Sequence, residues 1–261
     1  MLAEIMSRWE SAEERVELLA RILIIYGFVT LLIQAIMKAP YGRYASSGYG
    51  FGINAKLAWF IQESPSFFTP WILLFISKRS HVPFGNKILL LMFTSHYFQR
   101  SFIYPYLMKK SKDSPFFIVL SALGFCLFNG YLQGFYLVEE AVYHVTDLIC
   151  LRFIFGLALF IAGISINIHS DHLLRRLRVP GDTGYRIPRG GAFDYVSAGN
   201  YFGEIVEWWG FALASGSLPA VAFALFTSCF LIPRGVQHHK FYLEKFEDYP
   251  RNRNAVIPYI I

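Results

Sequence analysis

The sequence predicts an all-α, multi-pass membrane bundle of about seven transmembrane helices, and three observations predict it. Hydrophobic residues make up 55% of the 261-residue chain and aromatic residues 18%, against 16% charged, a balance too apolar for a soluble domain of this length. Apolar stretches of about twenty residues, enough to span ~30 Å of hydrocarbon, recur along the chain. Basic residues alternate in density from one connecting loop to the next, the pattern of positive-inside topology.

The stretches run over 16–37, 57–77, 88–107, 115–136, 147–168, 196–214 and 218–240. The residues before the first, with Glu4, Glu10, Glu13 and Glu14, lack a basic n-region and a small-residue cleavage site, so an amphipathic lead-in is expected rather than a cleaved signal. The second and sixth spans are the irregular ones: the second carries Gln62, Glu63, Pro65 and Pro70, and the sixth Asn200, Glu204 and Glu207. The fourth is smooth, with Ser121 and no charge between Pro115 and Leu137. Lys38, Arg43 and Lys56, then Lys109, Lys110 and Lys112, then Arg175, Arg176, Arg178, Arg186 and Arg189, fall in alternate loops, and more basic residues follow the last span. Only Arg8, Arg15, Lys78, Arg79 and Lys87 fall on the other side, which orients the C-terminus toward the cytoplasm. Topology accounts for the net charge of +6, and no nucleic-acid partner is implied.

No internal repeat, low-complexity tract or long linker divides residues 1–261, so a single domain is expected. Two loops, Ala39–Ala55 and Arg178–Asp194, are rich in residues that favour irregular backbone and are candidates for a lid over a soluble ligand. The GYGFG run at 48–52 follows no strand, so a Rossmann reading fails on context. Cys126, Cys150 and Cys229 lie in apolar segments without metal-ligand spacing and read as packing thiols. His169 with His172 and His238 with His239 lack a companion carboxylate motif, so no metal is expected.

Polar residues inside these segments carry the functional signal. Asn167, Asp171 and Arg178, at offsets of four and eleven, share one side of a helix over about three turns. A charged group near hydrocarbon costs roughly 2.5 kcal/mol or more on insertion scales, so such a stripe faces protein or ligand. Trp59 and Glu63; Tyr97, Arg100 and Tyr104; Asn200, Glu204 and Glu207; and Arg234, His238 and Tyr242 repeat the pattern. One stripe alone is commonly an interhelical hydrogen-bonding patch; five in one small bundle point to a polar cavity.

At these residues the sequence resembles the steroid 5α-reductase family, closest to its steroid-reducing branch. The segments are WFIQESPSF at 59–67, HYFQRSFIYP at 96–105, GISINIHSDHLLRRLR at 163–178, YRIPRGGAFDYVS at 185–197, GNYFGEIVEWWG at 199–210 and HHKFYLEKFEDYPRNRNAVIP at 238–258. The resemblance implies a seven-helix enzyme that uses NADPH to reduce the 4,5 double bond of a 3-oxo-Δ4-steroid such as testosterone or progesterone. It assigns Gln62, Glu63 and Tyr97 to the catalytic group at the 3-keto oxygen, with Trp59 and Glu204 beside the substrate. It assigns Asn167, Asp171, Arg178, Tyr185, Asn200, Glu204, Arg234, His238 and Tyr242 to the cofactor, with Arg100 in the same pocket. Hydride addition to an enone requires stabilised charge on the carbonyl oxygen, which a Tyr hydroxyl beside a carboxyl group provides. Arginines such as Arg178 and Arg234 match phosphate geometry. The expected setting is a monomer surrounded by lipid, in the endoplasmic reticulum of a eukaryote or the inner membrane of a bacterium, taking steroid from the bilayer and NADPH from the cytoplasm.

Three competing readings remain. A reductase of polyprenols or long-chain enoyl thioesters would differ around Gln62 and Glu63. An S-adenosylmethionine-dependent membrane methyltransferase shares a C-terminal region like FEDYP but leaves the INIHSD stripe unexplained. A seven-helix receptor or transporter predicts no tight NADPH binding.

Overall fold

Seven long helices follow one another in chain order in the computed structural model, which describes residues 11–38, 42–44, 47–109, 111–178 and 184–261. They are α1 (Ala12–Ile36), α2 (Ala55–Ile76), α3 (Phe84–Phe98), α4 (Phe116–Phe135), α5 (Leu151–Arg176), α6 (Gly199–Ser215) and α7 (Leu218–Lys245). Parts of both lid-candidate loops, 39–41, 45–46 and 179–183, lie outside the described residues.

Local chemistry sets the helix ends. Ser11 caps α1 by accepting from the Glu14 amide, Asn54 caps α2 by accepting from Lys56 and Leu57, and Ser217 caps α7 by accepting from Ala220. Gly216 ends α6 at φ 63°, where a Cβ would be strained. Two helices change pitch instead of stopping. Gln99–Ile103 forms a π-turn between α3 and the short helix Tyr104–Leu107, and Tyr136–Glu140 forms another after α4. Such turns re-aim side chains that an unbroken helix would hold in register.

Both irregular spans are helical. Proline is tolerated inside α2 because a neighbouring helix packs against the freed backbone. A Cβ on Gly130 of α4 would sit 2.9 Å from the Ser66 Cα, and one on Gly134 2.9 Å from the Pro70 Cα. The two glycines, four residues apart, therefore let α4 lie directly on the Pro65–Pro70 face of α2. The same device joins α5 to α6. Gly156 and Gly163 face backbone of α6, while Gly203 and Gly210 face backbone of α5, and a Cβ on Gly203 would lie 2.5 Å from the Asn167 amide nitrogen. Small residues at heptad spacing on both helices bring their polar stripes into direct contact.

The core lies between α3, α6 and α7, where the Trp208 ring centroid is 4.4 Å from Phe223, 5.7 Å from Phe93 and 4.6 Å from His96. α1 packs on α7 along the outside. Four helical stretches, Ala12–Ile36, Phe116–Glu140, Leu151–Arg176 and Leu218–Lys245, are long and apolar enough to cross a membrane. Their outward faces carry exposed Ile25, Leu32, Leu127, Leu151 and Phe155, the surface expected of a protein solvated by lipid. The remaining helices, α2, α3 and α6, bring Glu63, His96, Glu204 and Glu207 into the bundle.

Candidate active site

Polar side chains from α2, α3, α4, α5 and α6 meet in the bundle interior, and Tyr97 stands at one end of the cluster. It is buried on α3, and its hydroxyl accepts a 3.3 Å hydrogen bond from Asn129 Nδ2 of α4. Gln133, one turn along α4, donates to Asn129 Oδ1 at 3.3 Å and to the Pro219 carbonyl of α7 at 2.8 Å. Glu63 of α2 lies within electrostatic reach of Tyr97, and its carboxylate is 3.9 Å from Cys126 Sγ. A buried phenol fixed from three helices is a preorganised donor for an oxygen that gains negative charge.

Arg100 forms the centre of the cluster. The π-turn carries it off the register of α3 and sets its guanidinium 4.3 Å from the Trp59 ring centroid and 4.7 Å from that of Tyr104. Its Nη1 lies 3.5 Å from Asp171 Oδ2, and Glu63 and Glu204 are within electrostatic reach. One buried cation thus serves carboxylates from α2, α5 and α6, which is how charge is retained in a membrane interior. Asn200 donates to Asp171 Oδ1 at 3.2 Å, and Asn167 donates to the Asn200 carbonyl at 3.0 Å and to Glu204 Oε2 at 3.4 Å. Beside them, His96 Nδ1 and Glu207 Oε1 are 2.8 Å apart, both buried.

A cleft opens at the end of this seam, lined by Tyr104, Met108, Lys109, Ser111, Asp171, Leu174, Arg175, Arg178 and Asn200. Basic groups crowd its mouth. Arg175 Nη1 is buried with no hydrogen-bond partner among the described residues, and Lys109 donates to the Arg178 carbonyl at 2.8 Å. Around the next side of α6, Tyr201 Oη accepts from Arg234 Nε at 2.7 Å and lies 3.2 Å from His238 Nε2. Tyr44 stacks on His238 at 5.7 Å.

The structure thus brings together Trp59, Glu63, Tyr97, Arg100, Asn167, Asp171, Asn200 and Glu204. Gln62 is half-buried on α2 beside Glu63. Arg178 reaches the cleft by a different route from the expected one: α5 ends at Arg176, and Arg178 lies beyond the Leu177 cap instead of continuing the helical stripe. Asp171, which as a surface residue would pair with Arg175, is buried against Arg100 and Asn200. Tyr185 packs edge-on against Phe241 at 5.1 Å, and Tyr242 stacks on Tyr249 at 5.3 Å, so both belong to the far end of α7 rather than to the cleft lining. Sequence reasoning overlooked Asn129, Gln133, Arg175 and Tyr201. Asn129 and Gln133 did leave a signal, a four-residue polar offset in an apolar span.

A family model described as 3-oxo-5-alpha-steroid 4-dehydrogenase matches residues 112–261. The chain is 50% identical over 241 residues to the 3-oxo-5-alpha-steroid 4-dehydrogenase 1 of Bos taurus, covering 90% of this chain and 93% of that protein. It is 49% identical over 230 residues to the protein of the same name in Homo sapiens, covering 85% and 86%. With the 3-oxo-5-alpha-steroid 4-dehydrogenase 2 of Homo sapiens the identity is 45% over 232 residues, covering 88% and 91%.

Proposed function

Because the chain belongs to the 3-oxo-5-alpha-steroid 4-dehydrogenase family, membrane oxidoreductases acting on CH–CH groups, we propose that it saturates the 4,5 double bond of 3-oxo-Δ4-steroids with NADPH as reductant. The observation that carries this reading is the buried Tyr97 hydroxyl, held by Asn129 beside Glu63 where the polar cluster meets the aromatic core of Phe93 and Trp208. A 3-oxo-Δ4-steroid is a rigid hydrocarbon with one enone, and it needs that combination of apolar walls and a single fixed donor.

The chain's residues divide the work. Tyr97, with Gln62 and Glu63 beside it, donates to the 3-oxo oxygen and stabilises the negative charge that develops there. Trp59 and Glu204 flank the reacting end. NADPH, when bound, supplies the hydride that C5 accepts. A proton delivered to C4, from water or from Tyr97, balances the addition and leaves the C3 carbonyl intact.

The donor set fits the cofactor. Lys109, Arg175 and Arg178 at the cleft mouth suit phosphate groups, and the buried Nη1 of Arg175 is a donor without an acceptor among the described residues. Asn167, Asp171 and Asn200 offer amide and carboxylate partners deeper in the same seam. Arg234 and His238, joined through Tyr201, add a second basic patch on the neighbouring side of α6; Tyr242 stands farther along α7, with Tyr185 packed on its neighbour Phe241. We place this end of the bundle, and the C-terminus, in the cytoplasm, where NADPH is found, while the steroid enters from the bilayer. All of these groups come from one chain, so a monomer suffices.

The test is NADPH oxidation by detergent-purified protein offered testosterone, progesterone and a long-chain enoyl thioester in parallel, with products identified by mass and C5 stereochemistry. Saturated 5α-steroid is the expected product. Reduction of the thioester alone would move the substrate to another lipid, and no oxidation with any of them would overturn the reading.

A further inference from the structure

We propose that Asn129 and Gln133 are positioning residues that set the direction of the Tyr97 hydroxyl proton, with the Pro219 carbonyl as the fixed reference of a one-way hydrogen-bond chain. The proposal rests on the reading of Tyr97 as the donor to the substrate oxygen.

The direction follows from the chemistry of each member. Pro219 has no N–H, and its backbone oxygen only accepts, so the Gln133 side-chain atom 2.8 Å from it must be nitrogen. That same nitrogen lies 3.3 Å from a side-chain atom of Asn129 and aims its second hydrogen at it, so that atom must be the amide oxygen. The Asn129 nitrogen is then the atom that faces Tyr97 Oη at 3.3 Å. The phenol oxygen accepts from Asn129, and its own proton must point elsewhere. On α2, Ser66 gives its proton to the Cys126 carbonyl at 2.8 Å and so has none to offer the phenol oxygen. The Tyr97 proton is thus left to point away from Asn129, available to a substrate oxygen.

Burial makes the chain rigid. Asn129, Gln133 and Tyr97 are 0%, 1% and 3% exposed, so water does not stand in for a member that turns over. The anchors also come from three helices, α3, α4 and the first turn of α7. Packing of α7 against α4 therefore bears on the orientation of a proton on α3.

Gln133→Glu tests this with almost no change of shape. An oxygen in place of Nε2 carries at most one proton, which the Pro219 carbonyl requires, and toward Asn129 it is an acceptor. Asn129 then turns its nitrogen toward position 133 and its oxygen toward Tyr97, and the phenol proton is drawn away from the substrate. In steroid reduction kcat is expected to fall roughly a hundredfold, the scale of losing one oxyanion donor, with KM for NADPH unchanged. In a Tyr97→Phe background the same substitution is expected to have no further effect on kcat. Gln133→Met, which leaves the Asn129 amide without direction, serves the same cycle if the glutamate variant fails to fold, with a smaller loss that also vanishes beside Tyr97→Phe. Equal losses in the presence and absence of the Tyr97 hydroxyl, or no loss at all, would overturn the proposal while leaving Tyr97 as the donor. Full turnover by Tyr97→Phe alone would instead remove the reading on which it rests.

Discussion

Replacing Arg100 by methionine removes a charge on which three helices depend, and the cost can be built from its contacts. The guanidinium lies against the rings of Trp59 and Tyr104 at 4.3 and 4.7 Å, the two rings themselves meeting edge-on at 4.9 Å, an arrangement worth about 2 kcal/mol when desolvated. It also neutralises Asp171, whose side chain is 4% exposed, across 3.5 Å. Removing one partner of a buried pair costs about 3–5 kcal/mol, because the other is left charged and unpaired. For a chain of this size that corresponds to a fall in melting temperature on the order of 10 °C. The assay is thermal unfolding of detergent-purified protein, followed by intrinsic fluorescence without cofactor. Asp171→Asn supplies the internal control, because an amide keeps an acceptor for Asn200 and carries no charge. Added to Arg100→Met, it is expected to restore the share of the loss that belongs to Asp171, leaving the stacking contribution of about 2 kcal/mol and the loss felt by Glu63 and Glu204. An Arg100→Met shift below about 2 °C, or a double variant no more stable than the single, would refute the view of Arg100 as the counter-charge of the seam.

Arg178→Ala removes an exposed cation from the cleft mouth and is expected to raise KM for NADPH roughly tenfold with kcat little changed, the pattern of lost ground-state binding; steady-state kinetics with varied NADPH will show it. Gly163→Ala forces a methyl group into the Glu207 backbone and is expected to cost about 1–3 kcal/mol or more by overpacking α5 against α6, read as a lower melting temperature. The same change at Gly124, which has open space around it, is expected to leave the melting temperature unchanged.

The helices were legible because a membrane span announces itself by length and apolarity, a signal that Pro65, Pro70 and Glu63 were too few to mask in α2. The stripe of Asn167 and Asp171 was legible for a similar reason: a four-residue offset projects both side chains to one side of α5, whatever lies opposite. Arg178 was assigned to that stripe because Pro180 and Gly181 announce a helix end only to within a few residues, and α5 stops at Arg176, two residues short of it. The displacement of Arg100 was hidden as well: Pro105 signals an interruption near the end of α3, but not that it takes the form of a π-turn over Gln99–Ile103 packed on α2. Asn129 and Gln133 drew no notice because, unlike Asn167 and Asn200, they have no charged residue beside them in their span, although a buried amide also needs partners. The pairs Arg100 with Asp171 and His96 with Glu207 join residues 71 and 111 positions apart. No periodicity along one helix reports a partner on another.

The central claim, hydride addition to a polarised enone, is tested most directly with NADPH deuterated at the reactive nicotinamide carbon and testosterone as substrate, reading the product by mass spectrometry and NMR. The account predicts a saturated 3-oxo steroid with deuterium at C5 on the α face, an unlabelled hydrogen at C4, and a much lower rate of formation by the Tyr97→Phe variant. A product with no deuterium at C5, or one formed equally fast without the Tyr97 hydroxyl, would contradict it.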